Sequence, residues 1–285
     1  MSFQENWSST AKEIDAHLKS ILSEMGGGDH PAILRLREAM QYSVIEAGKR
    51  FRPVLCLWTA DAVGGFRKDV LPFAAAVEMV HGYSLIHDDL PCMDDDDLRR
   101  NKPTNHKVFG EAMALLAGNA LLTETFAYLA GAYRERPELA IQLIELLSRA
   151  SGVAGLLGGQ AIDISKAECP TELGELDYLH SKKTGALIRA AVAGALAICG
   201  IECEDADQVI RYAEELGIAF QIADDLLDHA PDRMEPASCP GVLGVPESRR
   251  VLAELTERAV SRVSSLGPAG NGLKELATFN CTRNH

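Results

Sequence analysis

The chain has 285 residues, enough to bury a substantial core, and 47% of them are apolar, which excludes wholesale disorder. A formal net charge of −13 excludes a nucleic-acid binder, which needs a basic face. The longest apolar run, Ala190 to Ile201, is about 12 residues where a bilayer crossing needs about 20, so no membrane span is expected.

Met1 to Lys19 is charged and polar rather than an apolar signal, and the seven cysteines are scattered with no Cys-x-x-Cys pair. A cytoplasmic protein with reduced thiols is the expectation. Helical periodicity begins at once: Ala11, Ile14, Leu18, Ile21 and Met25 recur every three or four residues. Similar stripes predict helices over about 32–47, 70–88, 110–131, 137–150, 172–199, 205–228 and 246–265. Gly26-Gly27-Gly28, Gly64-Gly65, Pro91, Pro103 and Gly267-Pro268 punctuate them. No strand pattern stands out and no linker divides the chain. The prediction is an all-α fold, a single domain over residues 1–285 built as a bundle of about ten helices.

Two of these helices end in acid. His81, Ser84 and Asp88 share one face of the first, which is apolar earlier, at Val77. Gln221, Asp224 and Asp228 repeat the spacing on the second, below Ala213 and Gly217. Ionised carboxylates cannot be buried there unpaired, so either the ends open to water or cations neutralise them. Only carboxylate oxygens are offered, with no thiolate cluster beside them, which suits Mg²⁺ rather than zinc. Mg²⁺ held by one or two carboxylates keeps waters and substrate phosphates as its other ligands, so a phosphorylated ligand is implied.

Basic residues to meet phosphate are also present. Gly48-Lys49-Arg50-Phe51-Arg52-Pro53 places three cations in four positions at a helix junction. Arg99-Arg100 follows the first aspartate cluster directly, and Lys182-Lys183-Thr184-Gly185 lies inside a helical stretch. Arginine forks match phosphate oxygens and lysine supplies a point charge. Each group alone is ordinarily a solvated surface charge; their combination with two aspartate groups is the signal.

Those residues carry a resemblance. The stretch Leu85 to Arg100, with His87-Asp88-Asp89 and Asp94-Asp95-Asp96-Asp97, resembles the first aspartate-rich motif of bacterial short-chain trans-prenyl diphosphate synthases. Asp224-Asp225-Leu226-Leu227-Asp228 resembles their second motif, and Gly48 to Pro53, Gly158 to Asp163 and Lys183-Thr184-Gly185 match three further elements in family order. The similarity runs from about residue 8 to the C-terminus, with farnesyl diphosphate synthases the nearest group.

The resemblance implies the isoprenoid synthase fold, helices around a central cleft, and a homodimer. It implies Mg²⁺ on Asp88, Asp94 and Asp224, with Asp89, Asp225 and Asp228 in support. The metal would hold an allylic diphosphate, dimethylallyl or geranyl, which Arg99, Lys183, Thr184 and Gln221 also face. Gly48, Lys49, Arg52, His81 and Arg100 would form the subsite for the diphosphate of isopentenyl diphosphate. Tyr83, five residues before Asp88, would block the growing chain at farnesyl length. His87 is read as structural.

Three departures stand out. Pro236 takes a position where a diphosphate-binding lysine is usual, Asn119 replaces an aspartate, and the flap after Asp228 is rich in proline. The alternatives are a geranyl or geranylgeranyl diphosphate synthase, a class I terpene cyclase, or a non-catalytic helical subunit. A cyclase needs no second diphosphate subsite, and a degenerate subunit should lose an aspartate motif; this chain keeps Lys49, Arg52 and both motifs.

Overall fold

A computed structural model of the chain describes residues 2–45, 48–165, 173–201, 204–229 and 238–283. The elements run α1 (Phe3–Glu24), α2 (Pro31–Ile45), α3 (Phe51–Ala62), α4 (Arg67–Asp88), β1 (Leu98–Arg99), β2 (Lys102–Pro103), α5 (Asn105–Phe109), α6 (Glu111–Ala132) and α7 (Pro137–Ser151). Then follow α8 (Leu156–Ile164), α9 (Leu173–His180), a π-helical turn (Ser181–Gly185), α10 (Ala186–Cys199), α11 (Glu204–Asp228), α12 (Cys239–Leu243), α13 (Val245–Arg262), a 3₁₀ segment (Ser264–Gly270) and α14 (Asn271–Thr282). The all-α expectation holds. The helices beyond the expected ten are mostly short, such as α5 and α12.

The chain forms two compact units. Residues 1–57 and 71–144 make the first, residues 58–70 and 145–285 the second. In the first, α1 starts with a capping box: Ser2 Oγ accepts from the Glu5 amide, and Glu5 Oε2 accepts from the Ser2 amide at 2.8 Å. Its buried stripe is Thr10, Ile14, Leu18 and Leu22, so the apolar face centres on Leu22 rather than on Ile21. α2 buries Ala39, Met40 and Val44. Gly82 on α4 lets that helix lie close to α2, since a Cβ there would sit 2.7 Å from Val44 Cγ2. α6 packs on α2 and α5 through Ala114, Ala117, Gly118, Leu121, Thr125 and Leu129. Its other side leaves Leu115 and Leu116 about half exposed.

The two-residue strands pair antiparallel, Leu98 with Pro103 and Arg99 with Lys102. Arg100 and Asn101 between them have φ of 54° and 63°, the geometry of a two-residue hairpin turn, which asparagine tolerates well. Strands this short leave no alternation to read in the sequence.

In the second unit the 25-residue α11 packs against α10 and α13. Leu176, Ala219, Ile222, Ala223, Cys239, Leu252 and Leu255 form a core cluster beneath its C-terminal half. α10 stops at Gly200, whose φ of 69° supplies a left-handed cap while Ile201 N–H returns to Leu196 O at 3.0 Å.

α6 and the stretch Pro137–Ile164 are long and apolar enough to cross a membrane by length and composition, although neither is an uninterrupted apolar run. The second is broken between α7 and α8, and α6 keeps a buried face within its unit. Cys169 and Cys203 lie outside the described residues.

Candidate active site

In the first unit the site is built around the end of α4 and the hairpin that follows. Asp88 is the last residue of α4, and its carbonyl accepts from the Asp94 amide at 2.9 Å, folding the intervening loop back over the helix end. Asp94 and Asp95 project into solvent. Asp89 is buried at 4% exposure and pairs with Arg99 Nε at 2.5 Å, while Arg99 Nη2 reaches Asp96 at 3.2 Å. Burial pushes the Asp89 carboxyl up, and Arg99 opposes this. Lys107 pairs with the exposed Asp97 at 2.6 Å.

The Gly48–Pro53 element sorts its three cations. Arg50 turns inward with φ 55° and 3% exposure, bonded to Asp15 at 2.6 Å, Glu78 at 2.8 Å and the Ile45 carbonyl at 2.7 Å. It is a structural ion. Lys49 stays exposed, and Arg52 Nη1 lies 3.4 Å from His81 Nε2. Gly48, at φ 105°, has a backbone conformation that favours glycine, and the Arg100 guanidinium lies across it where a Cβ would be. Thus Gly48, Arg52, His81 and Arg100 converge. Burial first, then the charges of Arg52, Arg100, Arg99 and Arg50, hold the His81 imidazole well below its ordinary pKa. The result is a cationic pocket with a neutral histidine in it.

Ser84 does not join that pocket; its hydroxyl donates back to the His81 carbonyl at 2.9 Å. His87 packs edge-on to Tyr83, with ring centroids 5.8 Å apart, and sits where any side chain at Gly118 of α6 would be. The structural reading of His87 agrees with this packing. Tyr83 is 2% exposed, and burial followed by the Asp88 charge pushes its hydroxyl up to about 12. Asn119 is exposed on α6.

In the second unit α11 and the π-helical turn supply the residues. Gln221 bridges the two: its Oε1 accepts from Thr184 Oγ1 at 2.8 Å and its Nε2 donates to Asp225 at 3.0 Å. The Cys239 amide donates to the other Asp225 oxygen at 2.8 Å. Even so, burial pushes the Asp225 carboxyl up. Asp224 pairs with Arg283 at 2.8 Å, and Asp228 is exposed. Lys183 pairs with Asp163 at 2.5 Å. Lys182 faces elsewhere, donating to the Ala154 carbonyl at 3.0 Å with its ammonium 4.8 Å from the centre of the Tyr178 ring.

Three features went unread in the sequence. The Lys182–Gly185 segment is a π-turn, a local widening of the helix found often at functional sites. Glycines clamp it: a Cβ on Gly159 would strike the Lys183 backbone, and one on Gly217 would sit 2.9 Å from Gly185 Cα. The partners Asp163 and Arg283 also escaped notice. Asp163 carried a signal, since it closes the matched Gly158-Gly159-Gln160 element. Arg283 carried none. Pro236 and the flap residues 230–237 lie outside the described residues.

The donors suit a hard divalent cation. Among the described residues no three acidic, histidine or cysteine side chains close into a cage. Mg²⁺ asks for less: one or two carboxylates, with waters and phosphates completing its shell. Asp88, Asp94 and Asp224 each offer carboxylate oxygens at or beside a helix end.

This is an all-helical fold with two aspartate-bearing helix ends and a cationic pocket beside one of them, the dress of an enzyme that handles diphosphates. The polyprenyl synthetase family matches residues 34–235, and the chain belongs to that family of prenyltransferases. It is 40% identical over 267 residues to a farnesyl diphosphate synthase of Micrococcus luteus, covering 90% of this chain and 91% of the relative. A geranylgeranyl diphosphate synthase of Cyanophora paradoxa is 38% identical over 262 residues, 87% of each. Among solved structures, an FPP/GFPP synthase from Zymomonas mobilis superposes with a TM-score of 0.87 at 34% identity, covering 97% of this chain and 99% of the other.

His180, 5% exposed and 3.8 Å from Asp225, gives a pH prediction. Burial, opposed by Asp163 and helped by Lys183, depresses its pKa from 6.5 to about 4. Between those values the unfolded chain binds a proton that the folded chain refuses, so stability falls as pH drops through that window. Denaturant midpoints in EDTA should decline from pH 6.5 toward 4, and His180→Gln should flatten part of that decline. An unchanged slope in the variant contradicts a neutral, buried His180.

Proposed function

We propose that the chain acts as a single prenyl diphosphate synthase domain that condenses isopentenyl diphosphate with dimethylallyl or geranyl diphosphate to give farnesyl diphosphate. The observation that carries this reading is the pocket of Gly48, Arg52, His81 and Arg100 beside exposed Lys49. A diphosphate subsite of its own is what a condensing enzyme needs and a cyclase does not. The names of the relatives support the farnesyl product, with a geranylgeranyl product as the alternative.

In this reading Asp88, Asp94 and Asp224 hold Mg²⁺, with Asp89, Asp225 and Asp228 supporting them. Bound Mg²⁺ supplies Lewis-acid stabilisation of the charge that builds on the departing diphosphate. Arg99, Lys183, Thr184 and Gln221 orient the allylic diphosphate and add fixed donors where that charge develops. The allylic C–O bond breaks and its electron pair leaves with the diphosphate. Lys49, Arg52, His81 and Arg100 hold the second diphosphate so that the isopentenyl double bond meets the allylic cation. A C–C bond forms, and the proton lost from the adduct passes to the departed diphosphate, so no side-chain base is required. Lys183 has to exchange its Asp163 partner for phosphate oxygen, a short move for a flexible stem.

The half-exposed apolar residues Leu115 and Leu116 on α6 support the same reading's homodimer, since a second copy would cover that face. A cytoplasmic location belongs to the same reading.

Two tests separate the roles. Asp88→Ala should lower kcat by orders of magnitude, because each lost 1.4 kcal/mol of leaving-group stabilisation is about tenfold. Arg52→Ala should instead raise KM for isopentenyl diphosphate by about tenfold, the signature of lost ground-state binding. Steady-state kinetics with each substrate varied in turn reads both, and an Arg52→Ala defect confined to the allylic substrate would show the subsites reversed.

Product length rests on Tyr83. It lies about 7–8 Å along α4 from Asp88, deep enough to stop a chain after a few isoprene units. Tyr83→Ala should shift product from fifteen carbons toward twenty or more, read by chromatography of the dephosphorylated alcohols. An unchanged distribution from a folded, active variant rules the tyrosine out as the floor.

A further inference from the structure

Asp224 is met by a residue 59 positions away, at the end of α14. The Arg283 amide donates to the Phe279 carbonyl at 2.9 Å, fixing the backbone from which the side chain leaves. The guanidinium then lies over the Phe220 ring, 4.4 Å from its centre, and Nη2 donates to the Phe220 carbonyl at 3.0 Å and to Asp224 Oδ1 at 2.8 Å. Its side chain is 8% exposed, against 34% for Asp224. Thus the carboxylate is reachable from solvent while its counter-ion is tucked behind it.

The arginine is incompletely satisfied: buried Nε has no hydrogen-bond partner. A permanent structural ion such as Arg50 spreads its bonds over Asp15, Glu78 and a carbonyl. Arg283 instead has two anchors on one residue, Phe220, and one carboxylate. The ring and the carbonyl would still hold the guanidinium in place if Asp224 Oδ1 were given up. A divalent cation arriving at Asp224 meets a positive charge already hydrogen-bonded to one of its oxygens, and like charges at that range repel.

We propose that Arg283 is a positioning residue: it holds Asp224 neutralised in the substrate-free protein and thereby sets how readily the second aspartate group takes up Mg²⁺. This rests on the reading of Asp224 as a metal ligand. The guanidinium and the cation compete for one carboxylate, so the substrate-free enzyme binds the metal there weakly. A diphosphate, by adding negative charge, tips the balance toward the metal.

The test is direct binding of Mn²⁺, as a spectroscopic stand-in for Mg²⁺, to the full chain without substrate, read from the free-ion electron paramagnetic resonance signal. Arg283→Met keeps the stem and drops the charge; it should tighten Mn²⁺ binding by about tenfold, in line with removal of a charge-assisted contact. Arg283→Gln should do the same, and it serves if the methionine variant loses its helical circular dichroism. Asp224→Asn should weaken binding, and in that background Arg283→Met should change nothing. Equal Mn²⁺ affinity in wild type and both Arg283 variants, with Asp224→Asn still weakening it, overturns the counter-ion role and leaves the metal site standing. Mn²⁺ binding indifferent to Asp224→Asn overturns the metal reading itself, and the proposal with it.

Discussion

Carboxylates at the ends of largely apolar helices have to be neutralised, and most of what is unusual in this molecule answers that demand. α4 delivers Asp88 and then buried Asp89, which Arg99 meets from the hairpin. α11 delivers Asp224 and Asp225; the first is met by Arg283, the second by Gln221 and the Cys239 amide. Each helix end is therefore balanced within its own unit. Balance of this kind is poised rather than permanent. Asp89 and Asp225 are both pushed up by burial despite their partners, so each has reason to accept further positive charge. A cation bound nearby would favour the charged form of both carboxylates.

The cationic side follows the same logic in reverse. Burial and then four arginines depress His81; of the four, Arg50 is held by Glu78 and Asp15, and Arg99 by Asp89. Dianionic phosphate groups would relieve that crowding as Mg²⁺ relieves the aspartates. Catalysis by charge stabilisation requires such prearranged, partly unsatisfied groups, since dipoles and ions already in place need no reorganisation when the C–O bond breaks. The π-turn belongs with them. Holding Thr184 against Gln221 while Gly159 and Gly217 press on its backbone fixes a segment that an ordinary helix would pass straight through.

Much of this was legible in the sequence, and the limits have physical causes. α1, α2, α6, α11 and α13 were readable because each buries one face, which leaves a period in the residues. α3 was not: Val54, Leu55, Cys56, Leu57 and Trp58 are buried consecutively, and a helix buried all round has no stripe. The aspartates and basic elements were legible as clusters, yet their sorting was not. Arg50 and Arg52 are two residues apart and look alike in sequence, whereas φ 55° at Arg50 sends one inward. The π-turn differs from an α-helix by one residue and has no propensity code. The Arg283 pairing depends on how α14 docks on α11, which no local pattern encodes.

On this reading the chain ionises an allylic diphosphate in order to join it to isopentenyl diphosphate. Diphosphate release from geranyl diphosphate, measured with Mg²⁺ and purified protein in the presence and absence of isopentenyl diphosphate, tests it most directly. Fast release that depends on isopentenyl diphosphate, stops in EDTA and yields a fifteen-carbon alcohol after dephosphorylation is the predicted result. Release of equal rate without isopentenyl diphosphate, giving cyclic or hydrolysed ten-carbon products, would contradict it.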